Sequence, residues 1–264
     1  TTVLAQPLGP VNLLPVSAAL LGLAVFCIRR LGQQPFAGSA GGVAPANGAP
    51  AIGGSPLAGI RLVLRSPYLL GICALMLLFT TLATFLYFQQ AQIVRDNFSD
   101  PAQRTAVFAA IDLAVNVLTL VIQVFLTGRL VKWLGLGWTL AVVPLLLGVG
   151  FLALGLAPVL AVLVVVQVLR RAGNYAIMRP AREMLYVVLP REEKYKAKNF
   201  IDTVVYRSGD ALSAWAYAGL RALGLGLGAI AFIAVPLAVL WAWVAWRLGQ
   251  AQTRRARAAG GRGG

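Results

Sequence analysis

The chain has 264 residues, 59% of them hydrophobic and only 12% charged, with no His and a formal net charge of +15. A mean hydropathy of +0.79 leaves too few polar residues to coat a water-soluble core, so the soluble globular class is excluded. Cys27 and Cys73 lie far apart in apolar runs, so the sequence offers no disulfide framework, no zinc or haem ligand set and no His-based catalysis.

The first apolar run, 11–28, is followed rather than preceded by Arg29 and Arg30, the reverse of a secretory signal. With Thr as the first residue, 1–31 reads as the last helix of a preceding unit in a longer protein. Residues 32–56 are a low-complexity Gly/Ala/Pro stretch without charge and read as a flexible cytoplasmic linker. Within 57–248 six further apolar runs, at 68–92, 105–127, 138–156, 159–178, 200–221 and 229–247, approach the ~20 residues that cross a bilayer core. The alternating Leu and Gly from Leu223 to Gly228 lacks a following Lys-Ser/Thr, so it predicts a tight turn rather than a phosphate loop. Residues 249–264 form a basic cytoplasmic tail. The expected fold is all-α, with seven transmembrane helices.

Orientation follows from Lys and Arg. Segments 29–67, 128–137, 179–199 and 247–264 carry 17 of them, whereas 1–10, 93–104, 157–158 and 221–228 carry three. The positive-inside rule places the first group in the cytoplasm and the amino end of the chain outside. Charge distributed in this way orients a protein in the bilayer, and nucleic acid is excluded as a partner.

Twelve of the 31 charged residues fall between 179 and 210. Residues 179–199 read as a solvated cytoplasmic connection, with Arg179 and Glu183 at i,i+4 spacing. Pro180 and Pro190 bracket a short surface helix, and Lys194, Lys196 and Lys198 are expected in water.

Apart from boundary residues such as Asp202 and Arg221 at the ends of 200–221, five charges remain inside the predicted spans: Asp112, Arg170, Arg171, Arg207 and Asp210. At about 2.5–3.5 kcal/mol each near mid-bilayer, they are expected to face the bundle interior or a wet cavity. Asp112, Asn116, Thr119 and Gln123 form one stripe on their helix, and Gln167, Arg171 and Asn174 form another with Arg170 on its flank. Thr203, Arg207 and Asp210 share a face of 200–221, and Thr80, Thr84 and Tyr87 give 68–92 a weaker polar edge. Spans 138–156 and 229–247 carry almost no polar side chain, so four helices are wet on one face and two face lipid. The candidate substrate-binding set is Asp112, Asn116, Gln167, Arg170, Arg171, Asn174, Arg207 and Asp210. Arg207 and Asp210 could neutralise each other, and Asp112 could meet Arg170 or Arg171. Three arginines against two aspartates still leave one positive charge, which an anionic substrate could match. Counted from the predicted external end of their span, Arg170 and Arg171 lie roughly 17–20 Å deep at 1.5 Å per residue.

This layout resembles the second half of a major facilitator-type transporter, preceded by the last helix of the first half and the central linker. "GRLVKWLG" at 128–135 is similar to that family's short loop motif. A more specific resemblance lies in Arg182-Glu183-Met184, Tyr186, Lys194, Lys196, Lys198 and Ile201-Asp202, which is similar to the ATP/ADP translocase family of bacteria and plastids. That family follows this Asp with a Gly-Lys pair eight residues on, where the present chain has Gly209-Asp210. The resemblance implies a secondary transporter of an anionic, nucleotide-like metabolite in the bacterial inner membrane. Such a protein works by alternating access with an upstream six-helix half. The other readings are a proton-coupled transporter with Asp112 or Asp210 as proton carrier, and a non-transporting scaffold. No cofactor, metal or enzymatic activity is expected.

Overall fold

A computed structural model describes residues 15, 18–19, 21–27, 29–30 and 56–260. Residues 1–53 form a unit of their own, in which the described residues are helical (α1) and exposed. The expected linker lies outside the described residues, apart from Pro56.

The second unit is wholly helical among its described residues. Helix α2 (Pro56–Arg65) opens on a proline, whose fixed φ suits a first turn. It packs on α8 (Arg191–Phe200), where its Gly59 lies against the Lys196 carbonyl and the Phe200 side chain. Ser66 ends it and caps α3 (Pro67–Asn97), its Oγ accepting from the Leu69 amide at 3.4 Å. Helix α3 is buried along most of its length and packs against α9 (Tyr206–Ala222) and α10 (Leu227–Gly260), which places it at the centre of the core. Asp100 and Pro101 open α4 (Pro101–Phe125), with the Asp100 carboxylate accepting from the Ala102 amide at 3.0 Å. Of α4 only Ile111 and Val115 are buried.

Helix α5 (Thr127–Leu156) is broken at Gly135, whose φ of 71° is open only to glycine at low cost. The eight-residue motif at 128–135 is therefore a helical turn set at an angle to the apolar segment that follows. Helix α10 (Leu227–Gly260) packs along α5 at two backbone contacts. A Cβ on Gly249 would lie 2.3 Å from the Gly137 Cα, and one on Gly228 would lie 3.0 Å from the Gly155 carbonyl oxygen. In a membrane helix pair such glycines replace the hydrophobic effect with close van der Waals packing. The expected tail from 249 continues this same helix to Gly260.

Helix α6 (Leu160–Gly173) passes through a π-helical turn (Asn174–Met178) into α7 (Arg179–Leu185) without leaving the helical path. The expected separate surface helix between Pro180 and Pro190 does not form. Pro180 cannot donate to the Ala176 carbonyl, and its ring would crowd that oxygen in an α-helix. The π turn absorbs the misfit, and the Thr127 hydroxyl donates to the Ala176 carbonyl at 2.8 Å in place of the missing amide.

Helix α8 (Arg191–Phe200) likewise runs through a π turn (Ile201–Val205) into α9 (Tyr206–Ala222). The expected connection 179–199 is thus two helix ends joined by 186–190, and its charge belongs to the same rod as the apolar segment beyond it.

Among the described residues, five helical runs are long and apolar enough to cross a membrane: Pro67–Asn97, Pro101–Phe125, Thr127–Leu156, Leu160–Leu185 and Leu227–Ala258. This is an all-α membrane protein. The expected span 200–221 is not among the five, because its run carries the charges of α8 and α9. The expected span 11–28 is only partly described.

Candidate functional site

The polar stripe on α4 meets the one on α6. The Arg171 guanidinium donates to the Asp112 carboxylate at 2.5 Å, with the two side chains 28% and 56% exposed. Arg170, one residue earlier and about 100° round the helix, turns elsewhere. Its Nε donates to Gln167 Oε1 at 3.0 Å, and Gln167 Nε2 donates to Gln90 Oε1 on α3. Gln90 and Gln167 are both buried. Adjacent arginines on one helix therefore serve two separate partners, a carboxylate on α4 and an amide chain into α3. Arg170 has no carboxylate partner among the described residues.

The other residues of the predicted stripes and candidate set divide. Gln123 is committed to structure: its Nε2 donates at 3.4 Å to the Tyr175 carbonyl, in the π turn. Asn174 opens that turn half-buried, and Asn116 is exposed on α4. Arg207 is exposed and Asp210 half-buried on α9, and no ion pair joins them to each other or to the α4–α6 cluster among the described residues. The i,i+3 neutralisation that the sequence allows does not form in this structure.

One expected polar edge is used for packing. Thr80 is fully buried, and a Cβ on Gly209 would lie 2.5 Å from its Oγ1, so α9 rides directly on α3 there. Ser213 completes the seam, donating to Gly209 O at 2.6 Å and lying 2.9 Å from Thr81 Oγ1. Gln89 and Gln90 were missed by the sequence reading, although two amides one turn inside the end of an apolar helix were signal enough. Gln89 Nε2 donates to the Leu227 carbonyl at 3.3 Å.

A second cluster forms where α7 meets α8. Glu183 bonds Lys198 at 2.6 Å rather than the expected Arg179, whose guanidinium lies over the Tyr175 ring at 4.6 Å. Arg182 lies 3.9 Å from Asp202, too long for a hydrogen bond, and donates to the Met76 sulfur at 2.9 Å. Tyr186 is buried among them, and burial, then Asp202, pushes its hydroxyl above the ordinary phenol value. Lys196 pairs with Glu192 at 2.5 Å, and this hydrogen bond holds the Glu192 carboxyl below its usual range. Lys196 and Lys198 are half-buried, so the expectation of fully solvated lysines holds for neither.

A family model described as the TLC ATP/ADP transporter matches residues 55–251. The "ADP,ATP carrier protein 1" of Chlamydia trachomatis serovar D is 24% identical, the match covering 69% of this chain and 39% of that protein. The protein of the same name from Chlamydia muridarum is 26% identical with the same coverage, 69% and 39%. The chain therefore spans about 39% of the length of these relatives. No solved structure matches.

Proposed function

Because the chain belongs to the TLC ATP/ADP transporter family, we propose that it is the second six-helix half of a secondary transporter that moves a nucleotide-like, phosphorylated anion across the bacterial inner membrane by alternating access. The observation that supports this most directly is the charge left over at Arg170. Arg171 is neutralised by Asp112, whereas Arg170 is held by amides alone. Arg170 lies ten residues into α6, about 15 Å along the helix, near the middle of a core about 30 Å thick. Transporters built from paired halves hold their substrate at that depth.

The chemistry suits phosphate. A guanidinium keeps its charge when buried and presents a planar fork that matches two phosphate oxygens. The Gln90–Gln167 pair fixes the Arg170 side chain without cancelling its charge. Asp112 holds Arg171 while the site is empty and releases it when a phosphate offers a second anion. Asn116 on α4, Asn174 in the π turn and Arg207 and Asp210 on α9 complete the proposed substrate-binding set. A preceding six-helix half, of the major facilitator type, supplies the opposite wall, and the ends carrying 128–137, 179–199 and 249–264 are cytoplasmic.

The test is uptake of labelled ATP, ADP and other nucleotides into liposomes containing the full-length protein. Arg170→Gln is expected to reduce uptake at least about 100-fold, and Arg170→Lys, which keeps charge but loses the fork, at least about tenfold. Normal uptake by Arg170→Gln, or a neutral or cationic substrate, defeats the anion reading.

A further inference from the structure

A pocket of about 310 Å³ lies between the carboxyl-terminal ends of α3 and α9, lined by Phe88, Arg95, Asp96, Tyr217 and Arg221 among others. The segments assigned to that side are poor in cations, with Arg95, Arg104 and Arg221 against 17 Lys and Arg in the oppositely assigned segments. Two of the three line this one pocket. The third, Arg104, is committed to its own loop, its Nε donating to the Phe98 carbonyl at 2.7 Å.

The pocket is also built. Tyr217 is stacked on Phe88 at 4.9 Å and met edge-on by Phe85 at 5.5 Å, which fixes its ring. Its hydroxyl is buried and has no hydrogen-bond partner among the described residues, a costly state for a polar group. Arg221 is anchored by one N–H to the Leu225 carbonyl at 2.9 Å, which leaves its other donors free. Arg95 makes no ion pair among the described residues, so the two arginines and Asp96 give the pocket a net positive charge. Arg95 follows Gln90 by five residues on α3, about 7.5 Å along the helix.

We infer that this pocket is an entry site for the phosphate groups of an anionic solute, occupied before the solute reaches Arg170 and Arg171. The inference rests on the proposed function for the identity of the solute, but not for the existence of the site. At about 310 Å³ it lies at the small end of ligand cavities, enough for a diphosphate but not for a whole nucleotide. Two forked guanidinium donors are phosphate chemistry.

The experiment uses the full-length protein in liposomes, with labelled ADP presented on either side. Arg95→Gln/Arg221→Gln is expected to raise the apparent KM at low salt about tenfold from the side of this pocket alone, with turnover unchanged and the difference shrinking as salt is added. Arg104→Gln is expected to match wild type. A KM within twofold of wild type for the double variant, or an equal effect of Arg104→Gln, overturns the inference. A readout independent of transport is pyrophosphate binding to the detergent-solubilised protein carrying Arg170→Gln/Arg171→Gln. Binding should persist there and vanish when Arg95→Gln/Arg221→Gln is added, while the protein elutes as a single folded species. If wild type takes up no nucleotide but pyrophosphate binding follows this pattern, the transport reading falls and the pocket stands. If no pyrophosphate binds, the pocket falls.

Discussion

Asp112 on α4 and Arg171 on α6 meet at 2.5 Å across 59 residues of sequence, while Arg170 beside Arg171 makes no ion pair among the described residues. The pair joins α6 to the helix that is otherwise the least buried in the bundle. It also separates the two arginines into one neutralised and one available charge.

This arrangement makes Asp112→Asn costly for Arg171 in particular. The single variant is expected to lose about 1–2 kcal/mol, between the values for exposed and buried pairs, because both side chains keep partial access to solvent. Adding Arg171→Gln should recover part of that loss and adding Arg170→Gln should recover none. Thermal unfolding of the four proteins in detergent measures the coupling. Strictly additive losses for Asp112→Asn with Arg171→Gln would show that the pair carries no interaction energy.

Gln90 and Gln167 are buried amides that satisfy each other. Gln167→Leu strands Gln90 and removes the acceptor for Arg170 Nε, so a cost of about 1–3 kcal/mol is expected. Gln90→Leu/Gln167→Leu should cost less than the sum of the single changes, since no amide is then left unpaired. A double variant as unstable as that sum would mean the two side chains act independently.

The glycines of the α5–α10 seam are expected to be intolerant in proportion to what stands opposite them. Gly249→Ala forces a methyl onto the Gly137 backbone, which no rotamer change relieves, so it should cost more than about 2 kcal/mol or prevent folding. Gly128→Ala, with nothing within 4 Å of the added carbon, should be neutral or stabilise by up to about 1 kcal/mol through helix propensity. Equal effects at the two positions would remove the packing explanation.

Topology is open to a labelling test in the full-length protein freed of Cys27 and Cys73. Single cysteines at Ser99 and Glu192, both exposed, should react with an impermeant thiol reagent from opposite faces of the membrane. Reaction from the same face would reverse the assignment of one end of the bundle and with it the side of the Arg95–Arg221 pocket.

The charged run into α9 shows how far local reading reaches. Composition alone determined that the chain is a membrane protein, because 59% hydrophobic residues cannot be hidden from water in a chain of this size. Apolar run length found all five apolar helices, since bilayer thickness sets a length that is read directly along the chain, but not their polar extensions: 138–156 belongs to Thr127–Leu156 and 229–247 to Leu227–Gly260. Helical periodicity also put Asp112 and Arg171 on the polar stripes of their helices, which meet in the structure, and both properties depend only on residues close in sequence.

Which charge meets which was decided by the tertiary structure. Glu183 has Arg179 one turn away and Lys198 fifteen residues on, and it bonds the distant one because α7 and α8 turn toward each other at 186–190. Thr80 looked like a cavity residue and became a packing surface because Gly209, on another helix, lets α9 approach it. Pro180 looked like a break and is carried through by a hydroxyl on α5. In each case the deciding partner lies on a different helix. Hydrogen bonds and ion pairs act over only a few ångströms, so their partners are chosen by how the helices pack, and no single-helix pattern contains that information.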